Sequence, residues 1–213
     1  MAAKHRIRSR RRALLVAGSV VLAAIVALRG MPSASPLLGA TVTGGHSVSR
    51  ASRGASRSTD EYELKAAFLY NFARYTKWPD DAFETKKSPF VVAVVGEDLF
   101  GKHLEETFRK RTVRGRRIVI RRYEKAKDIK TAHILVLGKL GSEERKRCLK
   151  EVDGRPVLTV ADTGGVEKSG AVLGFFVDKK RIRFEIAPSR VKEARLKMSS
   201  QLLRLARIVR VDR

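Results

Sequence analysis

From Leu64 onward the apolar positions change period several times, and each change predicts an element. Leu64, Phe68, Phe72 and Tyr75 recur at helical spacing through Glu61–Thr76. Trp78-Pro79 ends that helix, because proline has no N–H to extend the ladder. Ser58 and Glu61 have the spacing of a capping box at its start, which places the beginning of the fold near residue 58. Pro89–Val95 is a continuous β-branched run, typical of a strand buried on both faces. Phe100, Leu104 and Phe108 lie four apart and predict a second helix. Arg117–Arg121, His133–Leu137 and Pro156–Ala161 read as strands. Between the last two, Ser142 can cap a helix Glu143–Val152, with Glu143 and Glu144 at its positive dipole end. After the loop Asp162–Gly170, Ala171–Val177 and Arg181–Ile186 flank Asp178-Lys-Lys180, which predicts an antiparallel hairpin. A last helical region, Ser189–Val209, carries Leu196, Leu202, Leu203, Leu205 and Ile208.

This alternation predicts an α/β fold of three layers. A mostly parallel sheet is flanked by helices, with right-handed crossovers and a C-terminal β-hairpin and helix. The domain so read spans 58–213.

The preceding segment has another character. Six basic residues between Lys4 and Arg12 precede sixteen uncharged, mostly apolar residues, Ala13–Leu28. Together with the small residues Ser33-Ala34-Ser35, this reads as an export signal over 1–30. The run falls short of the roughly 20 residues that span a bilayer comfortably, so an uncleaved inner-membrane tether is the competing expectation. Ser9-Arg10-Arg11-Arg12 approaches a twin-arginine export pattern, although Ala13 stands where Phe is usual. Residues 31–57 are rich in Ser, Gly, Thr and Ala without periodicity and read as a flexible linker.

Charge sharpens this division. The chain of 213 residues carries a formal net charge of +24. Residues 1–60 hold ten basic residues and one acid, leaving 36 basic and 21 acidic in 61–213, so residues 61–213 carry +15. Such an excess suits acidic partners or an anionic membrane surface but names neither. The basic runs Arg114–Arg122, Arg145–Lys150 and Arg181–Arg183 do not interleave aromatics with charge as base stacking requires, and export removes the chain from nucleic acid.

The candidate chemistries are weak. Gly96–His103 follows a strand as a phosphate loop does, but His103 stands where a magnesium-ligating hydroxyl belongs. Glu97 and Asp98 also bring negative charge to the phosphate position. Cys148 with His103 or His133 lacks any local nucleophile signature, and its place on a helix suggests a half-buried core position. The domain's two scattered histidines, His103 and His133, make no metal site, and one cysteine makes no disulfide within the chain. No cofactor and no catalytic residue are implied.

The order of motifs resembles one family. Glu61-Tyr-Glu-Leu-Lys-Ala-Ala-Phe-Leu-Tyr-Asn-Phe-Ala-Arg-Tyr-Thr-Lys-Trp-Pro79 is similar to the opening helix of the YfiR-like family of periplasmic proteins. Val94–Gly101, Arg116–Ile120, His133–Leu137, Gly154–Asp162, Ile182–Ile186 and Met198–Ala206 continue the resemblance in register. It implies a binding regulator and not an enzyme: a soluble periplasmic α/β domain that represses an inner-membrane diguanylate cyclase by contact with its periplasmic sensor region. Cyclic-di-GMP output and biofilm formation rise when the repression is lifted. It also implies an outer-membrane OmpA-like lipoprotein as a sequestering partner. A homodimer is among the assemblies the sequence allows. Relatives rely on cysteine pairs, whereas Cys148 stands alone here.

Within that role the closing segment supplies the candidate partner residues. Arg183, Glu185 and Arg204 are charges among apolar neighbours, and Ser199-Ser-Gln201 interrupts the last helical region. Phe175 or Phe176 is the expected aromatic anchor, with the hairpin and final helix as the partner surface. A structural reading competes, in which Arg183 or Arg204 pairs with Glu185. The rival function is a periplasmic module that binds a small anionic ligand, accessory to a transporter or sensor kinase.

Overall fold

A computed structural model describes residues 51–211, with side chains from Thr59 onward. The export signal and most of the linker expected from the sequence lie outside the described residues. In chain order the elements are α1 (Ala51–Tyr75), β1 (Thr76–Lys77), β2 (Phe90–Val95), α2 (His103–Phe108), β3 (Thr112–Val113), β4 (Arg116–Tyr123) and β5 (Ile134–Leu137). There follow α3 (Ser142–Glu151), β6 (Leu158–Ala161), α4 (Gly165–Ser169), β7 (Leu173–Asp178) and β8 (Arg181–Ile186). The chain closes with α5 (Pro188–Glu193), β9 (Lys197–Met198), α6 (Ser200–Leu205) and β10 (Arg207–Ile208).

Eight strands form one sheet in the order β10-β8-β7-β6-β5-β2-β4-β3, curled into a half-barrel. The five central strands are parallel, and β8 and β3 run antiparallel to their inner neighbours. Taken in chain order the parallel strands are arranged 2-1-3-4-5, a common doubly wound order. The α/β class and the C-terminal hairpin therefore stand as the strand–helix alternation implies. Lys179 and Lys180 both take positive φ, 47° and 62°, the backbone of the two-residue turn whose twist matches the strands.

Alternation along the strands divides the core. Phe90, Val92, Val94, Ile134, Val136, Leu158 and Val160 face α1, α2 and the C-terminal helices, where Leu69, Phe72 and Leu104 are fully buried. Ala93, Val95, Leu135 and Leu137 face α3, through Cys148 and Val152, and the 3₁₀ turn Ala126–Asp128. Phe72 meets Phe175 and Phe184 at ring centroid distances of 5.8 and 4.9 Å, so its truncation to Ala should cost about 3–5 kcal/mol.

Four local expectations need correction. First, α1 runs back to Ala51, so Ser58 and Glu61 lie inside the helix and form no capping box at its start. An Ala/Ser/Arg-rich stretch without proline costs little to keep helical. Second, Ser142 is the first helical residue of α3; Gly141 is the cap, with no side-chain hydrogen bond. Third, Cys148 is completely buried rather than half-buried. Fourth, the single helical region Ser189–Val209 is α5, β9, α6 and β10 in succession. Arg195 takes φ 52°, which ends α5, and β9 then pairs with β1. Ser199 Oγ accepts the Leu202 N–H at 3.3 Å and starts α6 afresh.

Candidate functional site

Among the described residues, three of the five large apolar side chains left exposed lie at the C-terminal edge of the sheet, the other two being Leu64 and Tyr75 of α1. β10 pairs with β8 only at Glu185 and Ile186, so among the described residues Arg181–Phe184 have no strand on their outer side. Val177, beside the hairpin turn, is 64% exposed, Leu205 at the end of α6 is 67% exposed, and Ile208 in β10 is 47% exposed.

Register decides where the predicted residues go. Phe175 pairs with Phe184, and both point into the α1 side of the core, so Phe175 is buried and offers no surface. Phe176 pairs with Arg183, Gly174 with Glu185, and Arg207 with Glu185, so Phe176, Arg183, Glu185 and Arg207 share the opposite face. Phe176 is half-buried under the Arg207 guanidinium, 3.8 Å from its ring. Ser199, Gln201 and Arg204 belong to α6 or its cap, which packs on the α1 side through Leu202. The seven residues thus fall into two groups on opposite faces plus one core ring. Ser199 is a helix cap, whereas Gln201 and Arg204 are exposed.

Glu185 is a structural carboxylate. It is buried, and its Oε1 accepts the Val166 N–H at 2.7 Å at the start of α4. Its Oε2 accepts from Arg207 Nε and Nη2 at 2.9 and 2.5 Å. The partner is therefore Arg207, not Arg183 or Arg204; Arg183 instead meets Asp178 at 3.1 Å. Gly165, with φ +69°, is required beside it, since a Cβ there would collide with Glu185 Oε1. Arg207 was missed in the sequence because nothing marks which of many arginines a two-residue strand will align with a carboxylate.

A second polar cluster closes the carboxyl ends of the parallel strands, where open α/β sheets commonly hold ligands. Lys65 of α1, fully buried, lies 2.9 Å from Asp162 Oδ1 and 2.7 Å from Glu61 Oε1 and donates to the Asp162 carbonyl at 3.2 Å. Tyr62 donates to Asp162 Oδ2 at 3.0 Å and packs edge-on against Phe100. Burial, then the charge of Asp162, holds the Tyr62 hydroxyl well above the usual phenol range. Lys65 is thus matched by two carboxylates and offers no free cation to an anionic ligand. A helical lysine facing a core otherwise built of rings was the available sequence signal for this pair.

The groups considered for catalysis are held in structural roles. His133 Nδ1 accepts the Val91 N–H at 3.0 Å, so Nε2 carries the proton toward the Ala82 carbonyl, also at 3.0 Å. Burial chiefly, with a contribution from the Arg116 charge, lowers its pKa to about 4 against the Ala82 hydrogen bond. Phe83 stacks on its ring, on the α1 side, whereas Cys148 lies in the cluster on the other face. Burial and then Glu144 push the Cys148 thiol up to about 11, which leaves it protonated. In the phosphate-like loop Asp98 accepts the Phe100 and Gly101 N–H groups and pairs with Arg122, an ordinary strand-to-helix turn. No group of three or more His, Cys, Asp or Glu that could hold a metal exists among the described residues. Among them, too, no helix is long and apolar enough to cross a membrane.

In comparison with known families, a family model described as YfiR/HmsC-like matches residues 62–207, more than half of the chain. No curated protein matches the chain.

Proposed function

This chain belongs to the YfiR/HmsC-like family, and on that premise we propose that it restrains an inner-membrane diguanylate cyclase by binding its periplasmic sensor region. At the level of the family the role is that of a periplasmic, non-catalytic regulator of such a cyclase. The observation that carries the reading is the C-terminal edge. Val177, Leu205 and Ile208 are exposed there on an anchored frame, with residues 181–184 of β8 unpaired on their outer side among the described residues. Exposed aliphatic side chains ringed by charge are what a protein partner desolvates. The frame is held by Glu185, Arg207 and Val166, so the surface is preorganised and binding costs little ordering. Gln201 and Arg204 of α6 form its polar rim on the α1 side in the proposal, while Phe176 lies on the opposite face under Arg207.

Small-anion binding, the rival reading, gains nothing from the carboxyl-end cluster, because Lys65 already has two carboxylate partners. The test is titration of the full chain with the purified periplasmic region of a membrane diguanylate cyclase from the same genome. Saturable binding at micromolar concentration or tighter is expected. Absence of binding at that concentration, with the chain folded, removes the proposal.

A further inference from the structure

The opposite edge of the sheet carries a second surface, distinct from the proposed partner edge. Between Phe108 and Glu124 the chain holds eight basic residues and no acid. β3 and β4 form a hairpin there, with Thr112 opposite Arg117 and Val113 opposite Arg116. Its turn places Arg114 and Gly115 at φ 51° and 77° and projects Arg114 into solvent.

Three of the eight cations are engaged internally. Arg122 pairs with Asp98 and Glu105, whose hydrogen bonds and charges hold the guanidinium above its ordinary range and the Glu105 carboxyl below its own. Arg111 lies over the Tyr70 ring. Arg116 donates to the carbonyls of Thr85, Lys86 and Ser88 at 2.7–2.9 Å and stacks on Phe83 at 3.8 Å. It thereby pins the loop that carries exposed Lys86 and Lys87, with Glu84 as that loop's acid, beside the hairpin. The other five, Arg109, Lys110, Arg114, Arg117 and Arg121, are exposed and make no ion pair among the described residues.

An open hollow of about 560 Å³ lies at this edge. Its floor is Phe108, Ile118 and Ile120, its rim includes Arg109, Lys110 and Arg117, and Glu105 on the wall is already bound to Arg122. Edge protection alone explains one or two charges on a strand. It does not explain five unneutralised cations along one edge, three of them at the rim of an apolar hollow.

We propose that the β3–β4 edge is a docking surface for an anionic phospholipid membrane, with the cations meeting headgroup phosphates and the apolar hollow meeting the interfacial region. Charge complementarity selects the occupant. Lysines and arginines near an anionic bilayer each add about a factor of five in partition. Nucleic acid fits less well, since no exposed aromatic lies among these cations to stack a base. The surface leaves the C-terminal edge free, so a bilayer-adsorbed molecule can still meet a membrane-anchored partner.

The experiment is co-sedimentation of the full chain with phosphatidylglycerol/phosphatidylcholine vesicles and with pure phosphatidylcholine vesicles. It compares wild type with R114S/R117S/R121S and with an equal charge loss on α3, K146S/R147S/K150S. The α3 residues are exposed and far along the chain from the hairpin. The hairpin triple should lower the anionic-vesicle partition on the order of 100-fold while the α3 triple lowers it much less. Phosphatidylcholine binding should not change. R114K/R117K/R121K, which keeps charge and fold, should bind as wild type does. Equal losses for the two serine triples, or wild-type preference for a duplex oligonucleotide over anionic vesicles, overturns the proposal. If the serine triple fails to fold, the salt dependence of wild type decides: a partition insensitive to salt between 50 and 500 mM (roughly a threefold change in Debye length) also overturns it.

Discussion

His133 shows how a titratable side chain can be spent entirely on packing. Both ring nitrogens are committed to backbone groups, and the neutral form is favoured. Its folded pKa lies below the ordinary value, so its contribution is complete above about pH 6.5 and is lost as pH falls toward 4. Between pH 7.5 and pH 5 the loss is about 2 kcal/mol, by the linkage of a shift from 6.5 to about 4. Urea unfolding at the two pH values should show this drop in wild type and a much smaller one in His133→Gln. Lys65 and Asp162 are the complementary case, a buried pair whose halves are each costly alone. Lys65→Met leaves the Asp162 carboxylate buried beside Glu61 without its cation and should destabilise by about 3–5 kcal/mol. Adding Asp162→Leu should recover part of that loss in a double-mutant cycle; additive losses would show that the two do not interact.

Among elements, the sharpest contrast is between neighbouring glycines at the start of α4. Gly164 has open space where a Cβ would stand, whereas at Gly165 a Cβ meets the Glu185 carboxylate, and both have positive φ. Gly164→Ala should cost only its backbone strain, about 1–2 kcal/mol, and Gly165→Ala roughly 2 kcal/mol more, measured by thermal unfolding. The main strands were legible because β2, β5 and β6 are buried on both faces and therefore continuous in apolar residues. The C-terminal break was not, because leucine spacing runs on across Arg195, and a left-handed non-glycine residue carries no compositional mark. The seven candidate residues lie on the hairpin and final helix, yet they do not form one surface. Strand alternation alone sets Phe175 and Phe176 on opposite faces, and only the packing shows that Phe175 is the one in the core. The start of α1 at Ala51 escaped notice because Ser58 and Glu61 satisfy a capping pattern that the Glu61–Lys65 pair uses instead.

On the scale of the molecule, a single sheet has one edge with exposed aliphatic groups and another with unneutralised cations. The charge of +15 on residues 61–213 is thereby partly localised, since five unpaired cations sit on the β3–β4 edge. Between the edges, Tyr62, Lys65 and Asp162 satisfy one another at the carboxyl end of β6, and the proposed binding therefore rests on the sheet edges. The measurement that tests this most directly is the affinity of the full chain for the periplasmic region of the cyclase, in wild type and in Leu205→Asp/Ile208→Asp. Both residues are exposed and absent from the buried core, so the melting temperature should stay within a few degrees. At least about a tenfold loss of affinity is expected, the effect of removing anchor residues at an interface. Unchanged affinity in a folded double variant would contradict a regulatory surface at this edge.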